Sequence, residues 1–206
     1  MSRVWQQGAG RRRRRARRAR GVRRLLLVLL ALAAWAGWRL APPLRRPDAI
    51  IIHHSATPAS VDGRPVDAAA IDAMHARRGF RVVYEDKVYH IGYHYVILPD
   101  GEVQPGRPER AVGAHARHEN RHSLGVCLIG NFSSDANPRG ARGPARPSEA
   151  QMRALEGLCR RLMRQYAIAP ERVLRHSDVV RTECPGDRFP FAAFREMLRR
   201  GAGERR

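Results

Sequence analysis

A short, uninterrupted apolar run that ends in two adjacent histidines, AIIIHH at residues 49–54, most strongly restricts the folds open to this chain. A strand with one exposed face alternates between apolar and polar residues, whereas a continuous apolar run of this length is typical of a strand buried on both faces. Such a strand belongs to a domain in which other layers cover the sheet. The run therefore predicts a fully buried strand that carries two imidazoles at its end.

Helix and strand patterns alternate along the rest of the chain. A helix is predicted over residues 67–78, because its pattern stops at Gly79. Another helix begins at Ser148, where Gln151 three residues later completes a capping box. The apolar positions that follow at helical spacing predict one core-facing stripe: Met152, Leu155, Leu158, Cys159, Leu162, Met163 and Tyr166. Further strands are predicted at residues 93–98, 102–104, 123–129 and 173–176.

The C-terminal part completes the layered arrangement. Pro190 is predicted to open a last helix, whose inward-facing residues are Phe191, Phe194, Met197 and Leu198. A stretch rich in Gly, Pro, Ser and Arg, residues 133–147, is predicted to be an exposed loop. Strands interleaved with helices in this way predict an α/β or α+β layered domain over residues 48–200.

The N-terminal region has the pattern of an export signal. A basic n-region, residues 1–24, precedes a run of uncharged residues, LLLVLLALAAWAGW at 25–38. This run is shorter than the roughly 20 residues of a typical membrane-spanning helix. Arg39 can snorkel, however, and Trp35 and Trp38 are typical of membrane interfaces. An uncleaved membrane anchor is therefore preferred, and a cleaved signal peptide and a buried core helix are the alternatives.

Both export readings put the domain on the same side of the membrane. The positive-inside rule keeps the arginines in the cytoplasm, so whatever follows the apolar run is exported. Residues 39–47 are rich in proline and predict a linker to the domain. We therefore expect a protein of the cell envelope or periplasm, with the cytoplasmic membrane as a partner through the N-terminus.

The net charge of +20 does not by itself indicate a nucleic-acid partner. Residues 1–46 contain 14 arginines and no acidic residue, which leaves 25 basic residues against 19 acidic ones in the remainder. The excess therefore belongs mainly to the predicted n-region, where arginines more naturally meet anionic lipid headgroups. No nucleic-acid partner is expected.

Several histidines and one cysteine still lack an explanation. His53 and His54 end the buried run, and His176 ends another short apolar strand. Cys184 lies eight residues further on, in a polar loop. Two imidazoles and a thiolate make a ligand set suited to catalytic zinc, which keeps its fourth position open. The residues alone leave open which ligands take part, and whether the histidines are instead hydrogen-bonded core residues.

Four segments, in this order, resemble the type 2 N-acetylmuramoyl-L-alanine amidases, a family that includes the amidase-type phage lysozymes and the peptidoglycan-recognition proteins. The segments are IIHHSATP, GYHYVILPDG, AVGAHARHENRHSLGVCLIGNF and LRHSDVVRTECPGD. The resemblance implies a central mixed β-sheet flanked by helices, with zinc in a surface groove. It also implies hydrolysis of the amide between the lactyl group of N-acetylmuramic acid and L-alanine, so that peptidoglycan or a muropeptide is the expected partner.

The resemblance also implies roles for particular residues. His53, His176 and Cys184 match the family's zinc ligands, for one ion per chain. Tyr93 matches its catalytic tyrosine. The residue two before the ligand cysteine is lysine in the phage enzymes and threonine in many active recognition proteins, and here it is Thr182. The Tyr93 and Thr182 hydroxyls are expected to stabilise the charge that develops on the amide carbonyl oxygen.

Other residues in these motifs are expected to line the groove as substrate contacts: His94, Arg107, His115 and Asn120. A purely structural role is an equal alternative for the last three. The leaving amine needs a proton, for which Tyr93, His94 and a relayed water are candidates. The rival interpretation of the whole chain is a non-catalytic peptidoglycan-binding module, although such recognition proteins commonly lack the ligand cysteine.

Overall fold

The computed structural model describes residues 26–30 and 46–203 of the chain. It divides the chain into two compact units, residues 1–44 and 45–206. In the first unit, residues 26–30 are helical and their side chains are exposed. None of the helices described here is long and apolar enough to cross a membrane. The basic n-region and the other residues of the predicted export segment lie outside the described residues.

The second unit contains nine strands and three α-helices among its described residues. In chain order the strands are β1 (Ala49–His54), β2 (Ser60–Val61), β3 (Arg64–Pro65), β4 (Val82–Tyr84), β5 (Lys87–Tyr89), β6 (Tyr95–Ile97), β7 (Val103–Pro105), β8 (Ser123–Leu128) and β9 (Val173–Arg175). The α-helices are α1 (Ala68–Arg77), α2 (Glu149–Tyr166) and α3 (Phe191–Gly203). Short 3-10 helices occupy Pro170–Arg172 and His176–Asp178.

A five-stranded sheet forms the centre of this unit, in the order β7-β6-β8-β1-β9. Strand β1 pairs in parallel with both β8 and β9, and β6 pairs in parallel with β8. The edge strand β7 is antiparallel to β6. The sheet is therefore mixed, and every residue of β1 is buried because the strand has neighbours at both edges and packed layers on both faces.

Helices cover the two faces of the sheet. One hydrophobic cluster joins Ile50, Ile52 and Leu128 of the sheet to the apolar stripes of α2 and α3. A second cluster joins Val96 of the sheet to Ile71 of α1. The predicted central mixed sheet flanked by helices is thus confirmed, and the stripe predicted for α2 lies in the core as expected.

The helix ends include the predicted capping box and the predicted stop at Gly79, together with a cap by Asp67 that was not predicted. Ser148 and Gln151 form the capping box of α2, in which each side chain binds the backbone of the other residue. Asp67 caps α1 by accepting a hydrogen bond from the backbone N–H of Ala70. Gly79 follows α1 with a φ of +79°, a conformation that favours glycine.

The stretch 133–147 is a loop, as predicted, and most of it is exposed or half-buried. It is not exposed throughout, because Asn137 is buried and its side-chain amide donates to the carbonyls of Asn131 and Gly143. The end of one strand near the site needs correction. The strand predicted at 173–176 ends at Arg175, and His176 begins a 3-10 helix. The hairpins β2–β3 and β4–β5 were not predicted, since their strands are only two or three residues long and largely exposed.

Candidate active site

The carboxyl ends of β1 and β9 bring two histidines together. These strands run in parallel, and their register pairs Ile52 with Arg175. His53 follows Ile52 in β1, and His176 follows Arg175 directly after the end of β9. The ring centroids of the two histidines lie 4.4 Å apart. The pairing of two parallel strands therefore joins residues that the sequence separates widely.

A short loop after His176 places Cys184 next to the two histidines. The backbone N–H of Ser177 donates to the carbonyl of Cys184 at 2.9 Å, which closes the segment between them. The ligand atoms of His53, His176 and Cys184 all lie within 4.8 Å of one another. Two imidazole nitrogens and a thiol are a donor set that zinc prefers, and their closeness fits a single ion.

Burial sets the protonation of these groups. It lowers the pKa of His53 well below its usual value, with further lowering by the neighbouring His115 and His176. Burial also lowers the pKa of His176. Both imidazoles are therefore neutral near pH 7 and keep a lone pair for a metal ion. Burial raises the pKa of the Cys184 thiol to about 12, so the thiol is protonated when no cation is bound.

The ring of the adjacent His54 has a different partner. Successive side chains of a strand point in opposite directions, so the ring of His54 is directed away from that of His53. His54 still borders the site, because it lines the neighbouring groove and its backbone N–H donates to the Sγ of Cys184 at 3.4 Å. The Nδ1 of His54 accepts a hydrogen bond from the backbone N–H of Phe132 at 3.0 Å. The structure thus brings His53, and not His54, together with His176 and Cys184.

A groove with a cavity volume of about 340 Å³ opens beside these residues. Its lining includes His176 and Cys184, together with the predicted Tyr93, His115 and Thr182. The cluster of possible metal ligands is therefore accessible from the surface through a groove large enough for part of a substrate.

Tyr93 and Thr182 flank the cluster. The ring of Tyr93 lies 5.1 Å from that of His53, centroid to centroid. Burial, the nearby Cys127 and Cys184, and a hydrogen bond to the Cys127 side chain raise the pKa of the Tyr93 phenol well above its usual value, so the phenol stays protonated at neutral pH. The Thr182 hydroxyl oxygen accepts from the backbone N–H of Cys184 at 3.3 Å and helps to hold the cysteine loop.

His94 and Arg107, both predicted as substrate contacts, are buried and hydrogen-bond to the backbone. The Nδ1 of His94 accepts from the N–H of Gly125 at 2.9 Å, and its Nε2 lies 3.2 Å from the carbonyl of Ala111. The guanidinium of Arg107 donates to two carbonyls, those of Ile91 and Val112. Neither residue lines the groove.

His115 and Asn120, the other two predicted contacts, differ from each other. His115 lines the groove and its Nδ1 lies 3.1 Å from the Nε2 of His53. Asn120 does not line it, and its side-chain oxygen accepts from the backbone N–H groups of His115 and Ala116. Of the four predicted contacts, His115 alone lines the groove beside the cluster.

Three groove residues at the end of α1 were not predicted: His75, Arg78 and Phe80. The guanidinium of Arg78 lies 4.8 Å from the centroid of the Phe80 ring. His75 faces the groove while its Nδ1 accepts from the N–H of Gly92. The available signal was a histidine in an alanine-rich helix followed by an arginine and an aromatic residue around Gly79.

Comparison with known proteins decides the family. The family model described as N-acetylmuramoyl-L-alanine amidase matches residues 43–187. The chain belongs to this family. An endolysin of Klebsiella phage KP32 is 36% identical over 136 residues, which are 66% of this chain and 78% of the endolysin. The predicted enzyme class, N-acetylmuramoyl-L-alanine amidase, is thereby confirmed.

Two solved structures of relatives share the fold. The N-acetylmuramoyl-L-alanine amidase LysC from Clostridium intestinale is 34% identical with a TM-score of 0.59, and the match covers 75% of this chain and 86% of LysC. A tyrosine-to-phenylalanine variant of Drosophila peptidoglycan-recognition protein LB, solved with tracheal cytotoxin, is 30% identical with a TM-score of 0.53. That match covers 73% of this chain and 81% of the Drosophila protein.

Proposed function

We propose that this amidase is zinc-dependent and hydrolyses the amide bond between the lactyl group of N-acetylmuramic acid and L-alanine in peptidoglycan. The observation that carries the proposal is the convergence of His53, His176 and Cys184 beside a groove in a chain of this family. The Drosophila relative solved with tracheal cytotoxin supports a muropeptide as the ligand of the groove.

His53, His176 and Cys184 would hold the zinc ion. Zinc with three protein ligands and an open position supplies Lewis acidity toward a carbonyl and lowers the pKa of water to roughly 7. The protein keeps the two imidazoles neutral by burial, so no proton has to leave them before a metal ion binds.

Tyr93 and Thr182 are proposed to act on the amide carbonyl. Negative charge develops on this oxygen during hydrolysis, and protonated hydroxyl groups that line the groove can donate hydrogen bonds to it. The raised pKa of Tyr93 keeps its proton in place for this purpose. Thr182 uses its oxygen to accept from Cys184, which leaves its O–H to donate.

The proton for the leaving amine is proposed to come from Tyr93 or from a water in the groove. His94 was the other candidate, but both of its ring nitrogens face backbone groups, those of Gly125 and Ala111. His94 also does not line the groove. These contacts favour a structural role for His94 over proton transfer.

Mass spectrometry of digested muropeptides tests the proposal. The purified chain is incubated with muropeptides, with and without added zinc, beside a Cys184→Ser variant. We expect stem peptides with a free L-alanine amino terminus to appear only with the wild-type chain and zinc. Binding of muropeptides without cleavage at any zinc concentration would instead indicate the non-catalytic binding module.

The placement of the enzyme is a further part of the proposal. Residues 1–24 are proposed to stay in the cytoplasm, residues 25–38 to form an anchor or a cleaved signal, and residues 39–47 to link it to the exported domain, 48–200. Fractionation tests this: the full-length chain in the membrane pellet after a salt wash indicates an anchor. A soluble, shortened periplasmic chain indicates cleavage, and an intact chain in the cytoplasm contradicts both.

A further inference from the structure

The two ring nitrogens of His53 face different groups. His53 is only 1% exposed. Its Nδ1 lies 3.7 Å from the Sγ of Cys184, on the side of the ligand cluster. Its Nε2 lies 3.1 Å from the Nδ1 of His115. A neutral imidazole carries one N–H, so the proton must be on Nε2 if Nδ1 is to keep a lone pair for a metal ion.

The ring of His115 occupies a space that the sheet provides for it. Strand β8 carries Gly125 two residues before Cys127, the register partner of His53, so both positions belong to the same face of the sheet. A Cβ atom on Gly125 would lie 2.5 Å from the Cγ of His115. Only glycine at this position therefore lets the His115 ring pack down onto the sheet beside His53.

The backbone of His115 is fixed independently of its ring. The side-chain oxygen of Asn120 accepts from the N–H of His115 at 2.8 Å and from the N–H of Ala116 at 2.9 Å. Asn120 thus sets the backbone from which the His115 ring extends, and Gly125 sets the depth that the ring reaches. Together, the Asn120 contact and the space above Gly125 allow the ring of His115 to lie next to that of His53.

We propose that His115 is a positioning residue whose Nδ1 accepts a hydrogen bond from the Nε2–H of His53 and so keeps the Nδ1 of His53 free for the metal ion. Metal-ligating histidines are oriented by a partner on their second nitrogen, and loss of that partner typically costs roughly 10–100-fold in metal affinity. The inference rests on the proposed zinc dependence. It assigns His115 to the metal centre rather than to the substrate.

Zinc binding to the full-length chain tests this role without any measurement of catalysis. The affinity for Zn²⁺ is measured by competition with a chromophoric chelator, and Co²⁺ is added separately to record the thiolate-to-cobalt absorption band. His115→Ala is expected to weaken Zn²⁺ binding roughly 10–100-fold and to perturb the cobalt spectrum. His115→Asn is expected to recover most of the affinity, because its side-chain oxygen can accept the same hydrogen bond.

Two further variants separate positioning from general loss of structure. Asn120→Ala leaves both rings intact but frees the backbone of His115, so a smaller loss of Zn²⁺ affinity is expected. His90→Ala is the matched control, because His90 pairs with Asp72 and does not line the groove. Its Zn²⁺ affinity should equal that of the wild type.

The outcomes distinguish this inference from the proposed function. A wild-type chain that fails to bind Zn²⁺ defeats the zinc dependence itself. Tight wild-type binding that His115→Ala leaves unchanged overturns only the role of His115, and a raised KM in that variant would then assign it to the substrate. If His115→Ala does not fold, nitrogen NMR of the metal-free wild type decides: His53 with its proton on Nδ1 overturns the proposal.

Discussion

The Sγ of Cys184 lies 3.7 Å from the Nδ1 of His53, although 131 positions separate the two residues in the chain. Without a metal ion this contact joins a neutral thiol to a neutral imidazole. Burial raises the pKa of the thiol to about 12 and lowers the pKa of the imidazole. In the metal-free chain the contact is therefore a weak hydrogen bond between a thiol and an imidazole and not an ion pair.

Zinc uptake should release one proton from Cys184. The thiol of the metal-free chain is protonated throughout pH 6–9, since its pKa is raised to about 12, whereas a metal-bound thiolate is not. The apparent affinity for zinc should accordingly rise about tenfold per pH unit in this range. Titrations in buffers of different ionisation enthalpy measure the proton release directly. Cys184→Asp, already ionised, should lose the pH dependence, and a pH-independent wild-type affinity would contradict the assignment.

Replacing Tyr93 with Phe should separate binding from chemistry. The substitution removes one hydroxyl from the groove and none of the proposed ligands, so the chain should bind zinc as before. Loss of a hydrogen-bond donor to the developing charge should lower kcat by about 10²–10³. Steady-state kinetics on a soluble muropeptide provide the measurement, with Tyr89→Phe outside the groove as the control. An unchanged kcat would assign Tyr93 to structure alone.

Amidase activity should depend on the hydroxyl group of Thr182 and not on its methyl group. Its oxygen accepts from the N–H of Cys184, and the residue lines the groove. We expect Thr182→Ser to keep most of the activity. Thr182→Val should lower both kcat and zinc affinity, because the cysteine loop loses a hydrogen bond. Equal activity in the two variants would show that the hydroxyl has no part in the reaction.

Gln151 should contribute more to the stability of the fold than its place in the capping box would supply. It is fully buried, and its side-chain amide donates to the carbonyls of Ile97 and Ile129. Gln151→Leu leaves the carbonyl of Ile129 without this donor, whereas the carbonyl of Ile97 still accepts from the backbone N–H of Ile129. The variant should therefore lower the free energy of unfolding by about 1–3 kcal/mol. Urea unfolding measures the change. Arg153→Leu, at an exposed site on the same helix, should change it by less than about 0.5 kcal/mol.

Glu109 should stabilise the domain in a pH-dependent way. Burial alone would raise the pKa of its carboxyl, but hydrogen bonds from Tyr166, Tyr95 and Arg161 outweigh burial and lower it. A lowered pKa means that the stabilisation is present above the ordinary value of 4.5 and is lost as the pH falls through the folded-state pKa.

Glu109→Gln tests this dependence. At pH 7 the variant should lose about 1–3 kcal/mol of unfolding free energy, because hydrogen bonds to a charged acceptor are replaced by weaker ones. The difference from wild type should shrink at acidic pH, as the wild-type carboxylate is protonated. Urea unfolding at pH 7 and at acidic pH gives both values, with exposed Glu149→Gln as the control. A difference independent of pH would contradict the charge argument.

Local patterns in the sequence were enough to predict much of the fold. The apolar run at β1, the capping box of Ser148 and Gln151, and the stripe along α2 are decided by neighbours in the chain, and the structure confirms them. The exposed hairpins β2–β3 and β4–β5 were missed because strands of two or three residues are too short for a period to be recognised.

The sequence by itself determined that His53 and His54 end one apolar strand, that His176 lies at the end of another apolar run, and that a cysteine follows. It did not determine which histidine of β1 faces the cluster, because a strand that is apolar on both faces has no pattern to mark one of them. The choice of His53 came from family resemblance. In the structure it is the pairing of β1 with β9, and the opposite orientation of successive side chains, that brings His53 and His176 together.

The role of His115 likewise depended on tertiary structure. In the sequence it is one histidine in a polar segment, and nothing near it in the chain indicates its partner. Its approach to His53 requires the open space above Gly125 and the backbone contact from Asn120. Contacts of this kind form only when strands and loops that are distant in the chain pack together. The spacing of residues within one segment therefore does not predict them.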